Sequence, residues 1–233
     1  MNTFLRSTLL SILLAASGCT QTTQDLSDSF TLAIAGPQNN QISKQQIEEI
    51  PYASILVQKK DTPPALLVLA WVEGNSDSIS KPAYMKWLSA NKELFVTQSG
   101  RIVKTVNLPE KNLDRIESEL PDPLTLGLNK NTTPKDWSFL ISWSPDYHEQ
   151  YPATSHFEVK QVEPRKLISG TRNLLHVVEY VSIPLINQEL VNNYWLDPKS
   201  GEVVTSIQTP APNMPSFTLT TAKPYINKEG DSL

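Results

Sequence analysis

The stretch Trp137-Ser138-Phe139-Leu140-Ile141-Ser142-Trp143 constrains the fold more than any other part of the chain. Successive side chains of a strand point to opposite faces, so Trp137, Phe139, Ile141 and Trp143 share one apolar, aromatic face. One reading makes that face part of a core. The other makes it a platform for sugar rings, whose C–H faces stack on indoles, and such a platform has to be exposed.

Further strand signals begin at Tyr52 and continue almost to the end of the chain. Tyr52 to Gln58 and Ala65 to Glu73 are short apolar runs, the second apolar on both faces and so expected to be a central, doubly covered strand. Leu94 to Thr97 and Ile102 to Thr105 flank a turn in which Gly100 can take the positive φ required. Leu174 to Ile183, Glu189 to Leu196 and Glu202 to Gln208 form further hairpins. The last two are joined by Asp197-Pro198-Lys199-Ser200-Gly201, where Asp197 can accept a backbone hydrogen bond and Gly201 supplies a left-handed residue. Ser216 to Thr221 alternates as a strand with one wet face does.

Helices are expected to be few. Ser43 can cap a helix through Ile47, with Gln46 reciprocating, Ile42 and Ile47 forming a hydrophobic staple, and Pro51 ending it. Leu26 to Ala35, stopped by Gly36, is a second candidate. Asp114, Arg115 and Glu117 around Leu113 and Ile116 suggest a short amphipathic helix closed by Pro121, followed by a Pro-, Asn- and Lys-rich loop to Lys135. The expected class is therefore all-β, mainly antiparallel, barrel-like or sandwich, with two or three short helices.

The first residues read as an export signal: Arg6 precedes the apolar run from Leu9 to Ala16, which is too short to span a bilayer. Ala16-Ser17-Gly18-Cys19 resembles the lipobox of bacterial lipoproteins, although leucine is preferred where Ala16 stands. That resemblance implies cleavage before Cys19, a diacylglycerol on its thiol and an acyl (N-palmitoyl) group on the new amino terminus. Residues 1–18 are then a signal peptide, 19–24 a lipidated tether, and 25–233 a single β-rich periplasmic domain. By resemblance to enteric lipoproteins, Thr20 after the cysteine implies sorting to the outer membrane.

Cys19 is the only cysteine, so no disulfide is available and the domain must rest on its apolar core. With 20 Lys+Arg against 24 Asp+Glu there is no basic stripe to displace counterions from phosphates, which argues against nucleic acid as a partner. Attachment to a membrane then rests on acylation, because several acyl chains hold far more firmly than one.

No catalytic motif stands out: there is no HExxH, no GxSxG and no phosphate-binding glycine loop among only eight glycines. His148, His156 and His176 lack a second ligand at metal-site spacing, so neither a metal nor a cofactor is expected. Glu179 breaks its strand's pattern, sharing a face with Leu175, Val177, Val181 and Ile183. A carboxylate there is either paired with a buried base, Arg101 or Lys104, or a general acid of raised pKa. A glycosidase would need a second carboxylate within about 5 to 10 Å.

Several stretches together resemble the YjbF/GfcB family of lipoproteins encoded with exopolysaccharide and group 4 capsule export genes. They are Pro51-Tyr52-Ala53-Ser54-Ile55, Leu67-Val68-Leu69-Ala70, Trp87-Leu88-Ser89-Ala90 leading to Gly100-Arg101-Ile102-Val103-Lys104-Thr105, and Asn193-Tyr194-Trp195-Leu196-Asp197 through Gly201 to Ser206. The resemblance spans roughly Leu26 to Tyr225. Where the family commonly has glycine before Leu108, Asn107 stands here, a residue that tolerates the left-handed region.

The resemblance implies a non-enzymatic accessory in secretion or assembly of surface polysaccharide. Its partners would be outer-membrane or periplasmic polysaccharide-export proteins, or the polysaccharide itself, and it offers no catalytic residues. Two alternatives remain: a lipid or lipoprotein carrier with an apolar β-barrel cavity, and a glycan-cleaving periplasmic enzyme built on Glu179.

Overall fold

Tight turns order the sheet. Ser99 and Gly100 both have positive φ, 49° and 87°, and a two-residue turn of that kind matches the twist of the strands it joins. Asp197 Oδ1 accepts from the backbone N–H of Lys199 at 2.9 Å and of Ser200 at 3.0 Å, and Gly201 follows at φ 80°. Both expected hairpins therefore form as the sequence indicates.

The structure is a computed structural model that describes residues 43–74 and 82–226, all within the unit running from Pro37 to Leu233. The export signal, Cys19, the tether, the candidate helix at Leu26 to Ala35 and the Ile42 half of the staple lie outside the described residues. Helix α1 (Lys44–Glu49) leads into β1 (Ser54–Lys59), β2 (Ala65–Glu73), β3 (Tyr84–Leu88), β4 (Leu94–Gln98), β5 (Arg101–Val106) and β6 (Asn112–Glu117). A one-turn helix α2 (Pro123–Leu126) precedes β7 (Asp136–Ser144), β8 (His148–Leu167) and β9 (Gly170–Ile183). A 3-10 turn (Pro184–Ile186), β10 (Gln188–Leu196), β11 (Val203–Gln208) and β12 (Phe217–Lys223) follow. Ser43 caps α1 with the reciprocal Gln46 bond of a capping box.

Among the described residues all twelve strands belong to one sheet in the order β5-β4-β3-β2-β1-β12-β11-β10-β9-β8-β7-β6, and every pairing is antiparallel. The first and last strands pair with each other, so the sheet is a meander whose open seam lies mid-chain, between β5 and β6. There the backbone N–H of Leu113 donates to Thr105 Oγ1 at 2.9 Å, and that of Leu108 to Asn112 Oδ1 at 3.1 Å. The result is a nearly closed barrel, which leaves almost no unpaired edge.

Side chains fill the interior. Leu67, Trp87, Phe95, Ile102, Leu113, Trp137, Phe139, Ile141, Trp143, Phe157, Val177, Tyr194 and Phe217 form one buried cluster. Leu174, Trp195 and Val204 form a second, smaller one. Helix α2 and its flanks close one end of the barrel, where Asn129 Nδ2 donates to the Lys199 carbonyl at 3.1 Å and Ser99 and Thr125 hydroxyls meet at 2.8 Å.

Two sequence readings of local structure need correction. The segment around Leu113 and Ile116 is strand β6, not a helix. Its register slips between Leu113 and Arg115, so Leu113 faces Trp143 while Ile116 faces Ile141, and this bulge gives two inward residues a helix-like spacing of three. Strand β2 is not doubly covered: only Leu67 and Val68 are fully buried, and Trp71 is half exposed, because the outer face of a one-layer barrel is open.

Strand β8 is the longest among the described residues, at 20 residues, and the sequence does not mark it. Its prolines obscure it locally, yet each lies where the strand has a single ladder partner: Pro152 pairs only with β7 and Pro164 only with β9, so neither must supply two ladders. Strand β3 is equally unmarked, because its alternation is carried by only five residues. Among the described residues no helix is long and apolar enough to cross a membrane.

Candidate functional site

Glu179 is fully buried and paired. Arg101 donates to it twice, Nη1 to Oε2 at 2.9 Å and Nη2 to Oε1 at 2.8 Å. Asn192 Nδ2 and the Tyr194 hydroxyl add bonds to Oε2 at 2.9 and 3.0 Å. Alternation on β9 and β10 makes this cluster unavoidable, because Glu179 sits directly opposite Asn192 and Tyr194 is two residues further along. Burial opposes ionisation of Glu179, but the charge of Arg101 and the hydrogen bonds outweigh it and hold the carboxyl below its ordinary value.

Of the two bases expected as partners, Arg101 is the one; Lys104 is exposed. Arg101 also pairs with Asp122, whose other bond, from Leu124 N at 2.9 Å, caps α2. Burial works against the guanidinium charge, yet Asp122 and Glu179 leave its pKa well above the ordinary one. With no exposed surface and both oxygens held by Arg101, Glu179 does not lie in the open cleft that the glycosidase reading requires of it, even though a second carboxylate, Asp122, stands nearby.

The aromatic face of β7 is core. Trp137 and Trp143 are 6% and 2% exposed, which removes the sugar platform proposed for them. His148 stacks on Trp143 at 4.4 Å between ring centroids, His156 binds Asp136 at 2.7 Å, and His176 stacks on Trp195 at 4.8 Å. Among the described residues no group of three or more His, Cys, Asp or Glu is placed to hold a metal ion.

A half-open cavity of about 240 Å³ lies at the barrel mouth opposite α2. Val57, Leu67, Phe95 and Phe217 form its wall, and Lys59, Glu93, Glu110 and Lys111 contribute charge. They come from the ends of β1, β2, β4 and β12 and from the β5–β6 loop. No local pattern in the sequence announced this site, since its residues are brought together only by closure of the sheet.

Comparison with known proteins gives this fold a family. Residues 27–221 match the model for the group 4 capsule polysaccharide lipoprotein family, GfcB and YjbF. The chain belongs to that family. It is 29% identical to the lipoprotein GfcB of Escherichia coli (strain K12), covering 88% of this chain and 92% of that one. It is 28% identical to the lipoprotein YjbF of the same organism, covering 87% and 90%. The crystal structure of the hypothetical lipoprotein YmcC from Escherichia coli (K12) superposes with a TM-score of 0.70 at 25% identity, covering 86% of this chain and 96% of that one.

Three of the stretches that resembled the family lie within strands: Leu67 to Ala70 in β2, Arg101 to Thr105 in β5 and Asn193 to Leu196 in β10. Asn107, standing where the family commonly has glycine, takes φ 64°, so the left-handed turn into the seam is kept without glycine.

Proposed function

We propose that the protein is a non-enzymatic accessory in secretion or assembly of surface polysaccharide. In this reading it is held on the outer membrane by acylated Cys19 and faces the periplasm. Membership of a capsule lipoprotein family across residues 27–221 carries the proposal. The lipobox at Ala16 to Cys19 and Thr20 after it support the anchor and its destination, and the outer-membrane or periplasmic export machinery, or the polymer, supplies the partner.

The packed interior favours this role over a carrier. An acyl-chain carrier needs an empty apolar lumen, whereas Tyr194, Phe157, Ile102 and Leu113 are packed in the main buried cluster with less than 2% exposure. The role is tested by deleting the gene and measuring surface and cell-retained polymer separately. A fall in the surface share with synthesis maintained supports it, and an unchanged share overturns it.

A further inference from the structure

We propose that the cavity at the barrel mouth holds a single neutral sugar residue of a polysaccharide. This inference rests on the polysaccharide role proposed above and gives it a site. The cavity measures about 240 Å³. That is below the roughly 300 to 1,000 Å³ of pockets for drug-sized ligands. It suits one ring, and its half-open form lets a chain continue on either side.

The chemistry of the rim points the same way. Phe95 and Phe217, packed edge to face at 5.2 Å, are 2% and 6% exposed and form only the floor of the cavity, so a sugar there is held through its hydroxyls at the rim and not by ring stacking. Lys59 and Lys111 offer only donors and Glu93 and Glu110 only acceptors. Hydroxyl groups, which donate and accept, use both, whereas an anionic sugar would meet as much repulsion as attraction.

The rim is also prepared for a ligand. Among the described residues Lys59, Glu110 and Lys111 have no ion-pair partner, so their bonding capacity is not spent within the protein. The Ser89 hydroxyl fixes Glu93 at 3.1 Å. Pro63, Pro109 and Pro215 stand on three different rim segments, and their locked φ reduces the ordering cost of binding.

The test uses the lipidated full-length protein in nanodiscs. It is titrated calorimetrically with oligosaccharides released by partial hydrolysis from the surface polysaccharide of a strain that carries it, separated into neutral and acidic pools. The neutral pool is expected to bind. Ala65→Trp, at an exposed position on the cavity edge, should weaken binding at least about tenfold, and Lys111→Ala about threefold or more. Trp71→Ala on the outer face should leave binding unchanged, and unaltered urea midpoints show that the variants are folded. Absence of binding, preference for the acidic pool, or indifference to Ala65→Trp overturns the inference. If deletion lowers surface polymer and Ala65→Trp restores it fully without binding sugar, only the site falls; if deletion changes nothing, the role itself falls.

Discussion

The guanidinium of Arg101 grips the carboxylate of Glu179 with two bonds, 2.9 and 2.8 Å, between residues 78 apart in the chain. One lies at the start of an edge strand of the sheet, the other on a strand near its far side. The pair therefore ties the two halves of the meander through the interior. Gln208 strengthens the same tie, accepting from Ile102 N at 2.9 Å and donating to the Gly100 carbonyl at 2.8 Å.

Removing one partner strands a buried charge. Arg101→Met should cost about 3–5 kcal/mol by the usual scale for breaking a buried pair, and combining it with Glu179→Leu should recover part of that loss. Urea unfolding of the single and double variants measures both. A loss below about 1 kcal/mol for Arg101→Met would show that the pair does not hold the barrel together.

Acid should weaken the fold through the same residue. The folded pKa of Glu179 lies below its ordinary value of 4.5, so its contribution is complete above the unfolded pKa and is lost as pH falls through the folded one. The urea midpoint should decline from about pH 4.5 downward, and Glu179→Gln, less stable at neutral pH, should decline less steeply. Equal slopes in the two proteins would contradict the assignment.

The β4–β5 turn has no room for a methyl group. A Cβ on Gly100 would lie 2.4 Å from Val203 Cβ, and the backbone there has φ 87°. Gly100→Ala should therefore destabilise by about 1–3 kcal/mol, from backbone strain and overpacking together. Denaturation midpoints at constant slope provide the check.

Deleting Asp114 should be worse than replacing it. The bulge at that residue lets Leu113 and Ile116 face the same side, and its loss would turn one of them outward, forfeiting roughly 1.5–3 kcal/mol of burial. Asp114→Ala should cost under about 1 kcal/mol, because it removes only the bond from the Ser144 hydroxyl at 3.0 Å. Comparable losses in the two variants would contradict this account of the bulge.

Much of this was legible where local chemistry is explicit. Gly100 and the Asp197 to Gly201 turn marked their hairpins, and Glu179 announced a buried partner by interrupting an apolar face. The bulge in β6 mimicked helical spacing, and Pro152 and Pro164 hid β8 until the ladder around each was known. Pairing of β1 with β12, which closes the barrel, joins segments more than 150 residues apart, Ile55 with Thr221 for example, and nothing local encodes it. The mouth cavity depends on that closure and was invisible for the same reason.

The most direct test of the central claim is the ratio of surface to cell-retained polysaccharide in a deletion strain complemented with wild-type protein or with Cys19→Ala. The account predicts a low ratio in the deletion, restoration by wild type, and no restoration by Cys19→Ala at equal protein level. An unaltered ratio in the deletion would contradict the role, and full restoration by Cys19→Ala would contradict the lipid anchor as part of it.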